Sequence, residues 1–119
     1  MELLDYFKKD ADTIKFNQGD EIFRQGDPGD YMYIIKNGEI SLNIGSTVEY
    51  IAVSGEFIGE MSLIDESPRS ATAIAENDCE LIRLDRDQFF KLVKKTPDFS
   101  ILVMQVLAER LRYMDTWVQ

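Results

Sequence analysis

A mainly β fold with flanking helices, an antiparallel barrel or jelly roll of about eight short strands, is predicted by three features of the sequence. Between Ile14 and about Leu84, short β-prone runs alternate with turn-forming clusters: Asn17-Gln18-Gly19-Asp20, Gln25-Gly26-Asp27-Pro28-Gly29-Asp30, Lys36-Asn37-Gly38 and Ser54-Gly55. Glu39-Ile40-Ser41-Leu42-Asn43-Ile44 strictly alternates polar and apolar residues, the period of a strand with one wet and one buried face. After Asp85 the spacing becomes helical. Strands this short leave no room for the helical crossovers of a parallel sheet, so the sheet closes antiparallel.

Taken in order, Leu3-Leu4-Asp5-Tyr6-Phe7 adds a helical turn within an N-terminal segment, 1–13, and strands fill 14–84. Tyr31 to Ile35 and Glu39 to Ile44 are expected to pair as a hairpin across Asn37-Gly38, a dipeptide suited to a type I′ turn. Helices occupy 85–119. Asp85 caps a short one through Val93, Pro97 breaks the chain, and Asp98 to about Trp117 forms the longest. Its core stripe is read as Ile101, Leu102, Gln105, Leu107, Ala108, Leu111 and Met114. Val103, Val106, Arg110, Met114 and Trp117 form a flank left over for a partner helix. One domain, 1–119, accounts for everything, with no repeat or linker.

Composition narrows the chemistry. A chain of 119 residues with 45% hydrophobic content builds one core. Its net charge of -9 opposes broad contact with nucleic acid or an anionic membrane, so an anionic ligand needs a local cationic site. Histidine is absent, which removes the commonest general base and transition-metal ligand; neither an enzyme nor a metal site is expected. Cys79 is the single cysteine and reads as a small strand residue, and with no export pattern or membrane-length apolar run the expected location is the cytoplasm.

The informative stretch runs from Phe57 to Ala73. Gly59 permits a sharp turn, Glu60 to Ile64 favour a short helix, and Ser67-Pro68 ends it. Arg69 then presents a planar fork that can make two hydrogen bonds to phosphate oxygens. Downstream, Ala71, Ala73 and Ala75 share one strand face. Either they leave a cavity for a ligand, or a helix packs tightly against them.

Gly59-Glu60-Met61-Ser62-Leu63-Ile64, followed by Ser67-Pro68-Arg69-Ser70-Ala71-Thr72, closely resembles the phosphate-binding cassette of cyclic-nucleotide-binding domains. This family includes kinase regulatory subunits, nucleotide-gated channels and catabolite-activator regulators. The resemblance extends upstream through Gln25 to Ile40, so it covers nearly the whole chain. It places the cassette at 57–73 and implies a sensor of cyclic AMP or cyclic GMP. By position, Arg69 would bind the exocyclic phosphate oxygens and Glu60 the ribose 2′-hydroxyl, with Gly59, Ser70, Met61, Ser62 and Ala71 completing the site. One arginine with amide dipoles suits the single charge of a cyclic monophosphate, and the lysine loop that wraps triphosphates is missing.

Some positions depart from the family's commoner pattern. Ile58 stands where an aromatic residue is frequent, and Ser62 replaces the usual alanine, offering a hydroxyl either to the ligand or to its own helix. Asp65-Glu66 either holds Arg69 in the empty protein or forms a solvated loop. Ser70 falls between the threonine that accompanies guanine and the alanine that accompanies adenine, a slight lean toward cyclic AMP. Tyr113 and Trp117 are the aromatic candidates for a lid over the base, the other role open to them being packing. The resemblance further implies that the C-terminal helix reports occupancy, as a homodimer contact or to an attached effector domain. A non-binding interaction module on the same fold is the alternative.

Overall fold

The computed structural model describes residues 3–7 and 13–118, the last six by backbone alone. Eight strands form two four-stranded antiparallel sheets. One sheet, in spatial order, is β1 (Thr13–Phe16), β8 (Cys79–Asp85), β3 (Tyr31–Asn37) and β6 (Phe57–Ile58). The other is β2 (Glu21–Phe23), β7 (Thr72–Ala75), β4 (Ile40–Ile44) and β5 (Thr47–Ala52). A 3-10 turn at Leu3–Tyr6 and helices α1 (Glu60–Asp65), α2 (Arg86–Lys95) and α3 (Pro97–Val118) flank them. The predicted mainly β, antiparallel class is the observed one.

Two clusters make the core, and β3 is wedged between them. Tyr33 and Ile35 point between the sheets with Ile40, Ala52, Ile58 and Leu81, while Met32 and Ile34 face the helices with Leu84, Phe89, Phe99 and Val103. Burial on both faces explains why Tyr31 to Ile35 is an almost unbroken apolar run instead of an alternating one. Full burial of Met32, Ile34 and Phe99 contributes about 1.5–3 kcal/mol each before the entropy of ordering is subtracted. Asp85 caps α2 as expected: its side chain accepts from the Gln88 amide, and the Gln88 side chain accepts from the Asp85 amide.

Three expectations are corrected. First, β3 and β4 do not form a hairpin. β3 has its hydrogen-bonding edges taken by β8 and β6, and β4 lies in the opposite sheet between β7 and β5. Only Gly38 of the Asn37-Gly38 pair has positive φ, so the dipeptide redirects the chain between sheets and makes no type I′ turn. Second, the wet face of β4 is dry: Ser41 and Asn43 are buried, whereas Ile44 is exposed. Asn43 Nδ2 donates to Ser41 Oγ at 2.9 Å and to the Thr72 carbonyl at 3.3 Å, and this satisfies polar groups in a central strand. Third, α3 turns a partly different face inward. Phe99 and Val103 are buried and Val106 packs beside them with Leu102 and Leu107 of the expected stripe, while Ile101, Gln105 and Leu111 are exposed. Val103 and Val106, expected to meet a partner, therefore pack in the protein's own core with residues of β3 and α2.

Candidate functional site

Arg69 is 5% exposed and faces inward. The β2–β3 loop fixes its backbone: the Gly26 amide donates to the Arg69 carbonyl at 2.9 Å, and the Arg69 amide donates to the Asp27 carbonyl at 2.8 Å. The fork spans two further segments, with Nη1 donating to the Gly59 carbonyl at 2.8 Å and Nη2 to the Tyr31 carbonyl at 2.6 Å. Cζ lies 4.2 Å from the centroid of the Phe23 ring. Nε is buried and meets no acceptor among the described residues. Burial lowers the arginine's pKa, opposed by Tyr33, Asp30 and Glu60, and the group stays a cation.

Gly59 is required by this approach. Its φ is +79°, and a Cβ there would sit 2.5 Å from Arg69 Nη1. Gly59 also precedes α1, which has only six residues, so the guanidinium outweighs the helix dipole as a seat for an anion.

Glu60 opens α1 at 5% exposure. It accepts from Arg110 Nη1 at 3.2 Å, and Arg110 Nη2 also donates to the Phe57 carbonyl. The Arg110 guanidinium lies 5.2 Å from the Tyr50 ring centroid and 5.0 Å from that of Phe57. Burial raises the Glu60 pKa above the ordinary 4.5, and Arg110 is the main influence pulling it back.

All seven residues expected at the site, Gly59, Glu60, Met61, Ser62, Arg69, Ser70 and Ala71, line one hollow of about 50 Å³, joined by Phe23, Leu42 and Arg110. A larger hollow of about 430 Å³ lies on the far side of Ser62, bordered by Asp30, Ser67 and the Glu66–Arg86 pair. Two carboxylates against one guanidinium suit an anion poorly, so chemistry and not size selects the smaller one.

The alanine face divides. Ala71 lines the hollow, but Ala73 and Ala75 are buried in the core between the sheets, where their small size lets the sheets approach. Asp65 accepts from Ser67, and Glu66 pairs with Arg86; neither holds Arg69. The side chains of Tyr113 and Trp117 lie outside the described residues. Sequence reasoning missed Phe23 and misplaced Arg110. The signal for Arg110 was the 4-3-4 spacing Phe99, Val103, Val106, Arg110, one stripe ending in a cation.

Known proteins match this chain in sequence and fold. A family model, "Cyclic nucleotide-binding domain", covers residues 13–96. The cyclic AMP receptor protein of Thermus thermophilus is 37% identical over 117 residues, 94% of this chain and 52% of that protein. A cAMP-dependent protein kinase regulatory subunit of Emericella nidulans is 36% identical over 84 residues, 69% of this chain and 20% of that subunit. The crystal structure of Thermus thermophilus catabolite activator protein superposes with a TM-score of 0.79 at 34% identity, covering 98% of this chain and 55% of that one. The chain thus spans about half the length of the bacterial relative and a fifth of the fungal one. With this match joined to a buried arginine, a facing carboxylate and a glycine between them, the chain belongs to the cyclic nucleotide-binding domain family.

Proposed function

We propose that the chain is a cyclic AMP sensor module in which Arg69 holds the cyclic phosphate, Glu60 accepts the ribose 2′-hydroxyl, and α3 reports occupancy. The observation that carries this reading is the unpaired, buried Nε of Arg69 beside a hollow whose other charged groups are Glu60 and Arg110. A buried donor without an acceptor costs about 1–3 kcal/mol, which an incoming phosphate oxygen relieves. Two guanidiniums and one carboxylate leave a single positive charge, the complement of a cyclic phosphodiester. A 5′-monophosphate carries about one more negative charge near neutral pH. Gly59 and Ser70 add backbone contacts, and Met61, Ser62 and Ala71 complete the wall. Tyr113 and Trp117 are the proposed base cover.

The hollow is smaller than a nucleotide, so entry requires the cassette or α3 to give way, with Arg110 as the link between them. Adenine is favoured over guanine because the bacterial relative is a cyclic AMP receptor protein and the fungal one a cAMP-dependent kinase subunit. The same helix is the proposed route to a homodimer or an attached effector, and no reaction is proposed. Among the described residues no helix is long and apolar enough to cross a membrane. The buried free thiol of Cys79 suits a reducing compartment such as the cytoplasm.

A thermal-shift series tests the assignment. Cyclic AMP at a hundred times its dissociation constant is expected to stabilise the fold by about 2.7 kcal/mol. Cyclic GMP should bind more weakly, 2′-deoxy cyclic AMP about 5- to 150-fold more weakly through the lost hydroxyl, and 5′-AMP should produce little shift. An equal response to 5′-AMP defeats the ring-specific seat. Silence toward every cyclic nucleotide leaves a non-binding interaction module.

Affinity should also depend on pH. An ionised carboxylate is the stronger acceptor, and the Glu60 pKa is raised, so cyclic AMP affinity should weaken as pH falls toward 4.5. Titration calorimetry across that window should find Glu60→Gln weak and flat.

A further inference from the structure

We infer that Phe23 is a positioning residue that sets the plane of the Arg69 guanidinium and so aims its Nε edge at the phosphate. The inference rests on the reading of Arg69 as the phosphate grip. The hydrogen bonds from Nη1 to Gly59 and Nη2 to Tyr31 anchor the two outer corners of the fork, along one line. Rotation of the guanidinium about that line is left to be fixed by something else. The ring of Phe23, with its centroid 4.2 Å from Cζ, supplies the missing restraint, because a planar cation over an aromatic face gains both electrostatic attraction and contact area.

The backbone is shaped to place that ring. Glu21 pairs with Ile74 and Phe23 with Ala73, so two steps along β2 match one along β7. A bulge of this kind re-aims a side chain. Phe23 is backed in turn by Tyr33, whose ring stacks at 6.3 Å between centroids and 25° between planes. Arg69, Phe23 and Tyr33 follow one another as cation, ring and ring, with one end against the hollow and the other in the core. With Arg69 5% exposed, water competes little for the cation, and the ring face counts for more than it would at a surface.

The test replaces Phe23 with 4-fluoro-, 3,4,5-trifluoro- and pentafluoro-phenylalanine. Fluorine drains the negative ring face while nearly keeping its shape. Cyclic AMP affinity, read by titration calorimetry, is expected to fall stepwise in the order of fluorination, reaching about three- to thirtyfold at pentafluoro. A flat series overturns the proposal, and so does an affinity loss that does not follow the order of fluorination, which would assign Phe23 to packing alone. A second readout needs no ligand: the Arg69 Nε–H proton resonance, shifted by the ring current, should move in Phe23→Leu, and an unmoved resonance also overturns the proposal. If the unaltered chain binds no cyclic nucleotide, the reading of the site fails, while the resonance still decides whether the Phe23 ring faces Arg69 Nε.

Discussion

Arg69→Lys is expected to bind cyclic AMP about ten- to a hundredfold more weakly than the unaltered chain. Lysine keeps the charge but loses the Nε donor that the Gly59 and Tyr31 carbonyls leave for the phosphate, and a hydrogen bond to a charged group contributes about 1.5–3 kcal/mol. The same substitution also weakens the empty protein. Arg69 joins the Gly59 carbonyl before the cassette helix to the Tyr31 carbonyl at the start of β3, and an ammonium cannot reach both in one plane. A buried carbonyl left without a donor costs about 1–3 kcal/mol. Urea unfolding of the empty protein and calorimetry with cyclic AMP separate the two losses. Near-unaltered affinity in Arg69→Lys would remove Arg69 from the phosphate seat.

Arg110→Ala should destabilise the fold by about 3–5 kcal/mol at neutral pH, because it strands a buried carboxylate. Burial already holds the Glu60 pKa above 4.5, and removing its strongest cationic neighbour raises it further. The sign follows from that direction. Below pH 4.5, Glu60 is protonated in the folded and the unfolded chain alike, and no stranded charge exists. As pH rises through the folded value, the unfolded state releases its proton first and the folded state loses stability. The deficit of Arg110→Ala should therefore be small near pH 4 and full near pH 8, read by urea melts at both. Adding Glu60→Gln should recover at least about 1 kcal/mol at pH 8, since a neutral amide costs less to bury than an unpaired carboxylate. Hydrogen exchange offers a second reading: amides of α3 around residue 110 should lose protection in Arg110→Ala, because Arg110 ties this helix to the Phe57 carbonyl and the cassette. A deficit independent of pH would mean that Glu60 is not the group stranded.

These two arginines show where reading the sequence succeeds and where it stops. Arg69 was legible because its neighbours are local: a glycine that allows close approach, a helix-stopping Ser-Pro and the fork itself lie within a dozen residues. Arg110 was not, since its partner Glu60 is fifty positions away and α3 carries apolar residues on several faces at once. Phe23 was invisible for a related reason, a bulge in β2 that only pairing with β7 reveals.

The sequence by itself determined the mainly β class, the capped start of α2, the cassette and the family, because turn chemistry, capping and the Gly-Glu to Arg spacing are properties of neighbouring residues. Tertiary structure alone decided which sheet each strand joined, which face of α3 turned inward, and that Ser41 and Asn43 are buried. Those outcomes depend on which hydrogen-bonding edges and apolar surfaces meet across the whole chain. Strand alternation and helical period describe faces, and a face becomes inside or outside only when a second element covers it.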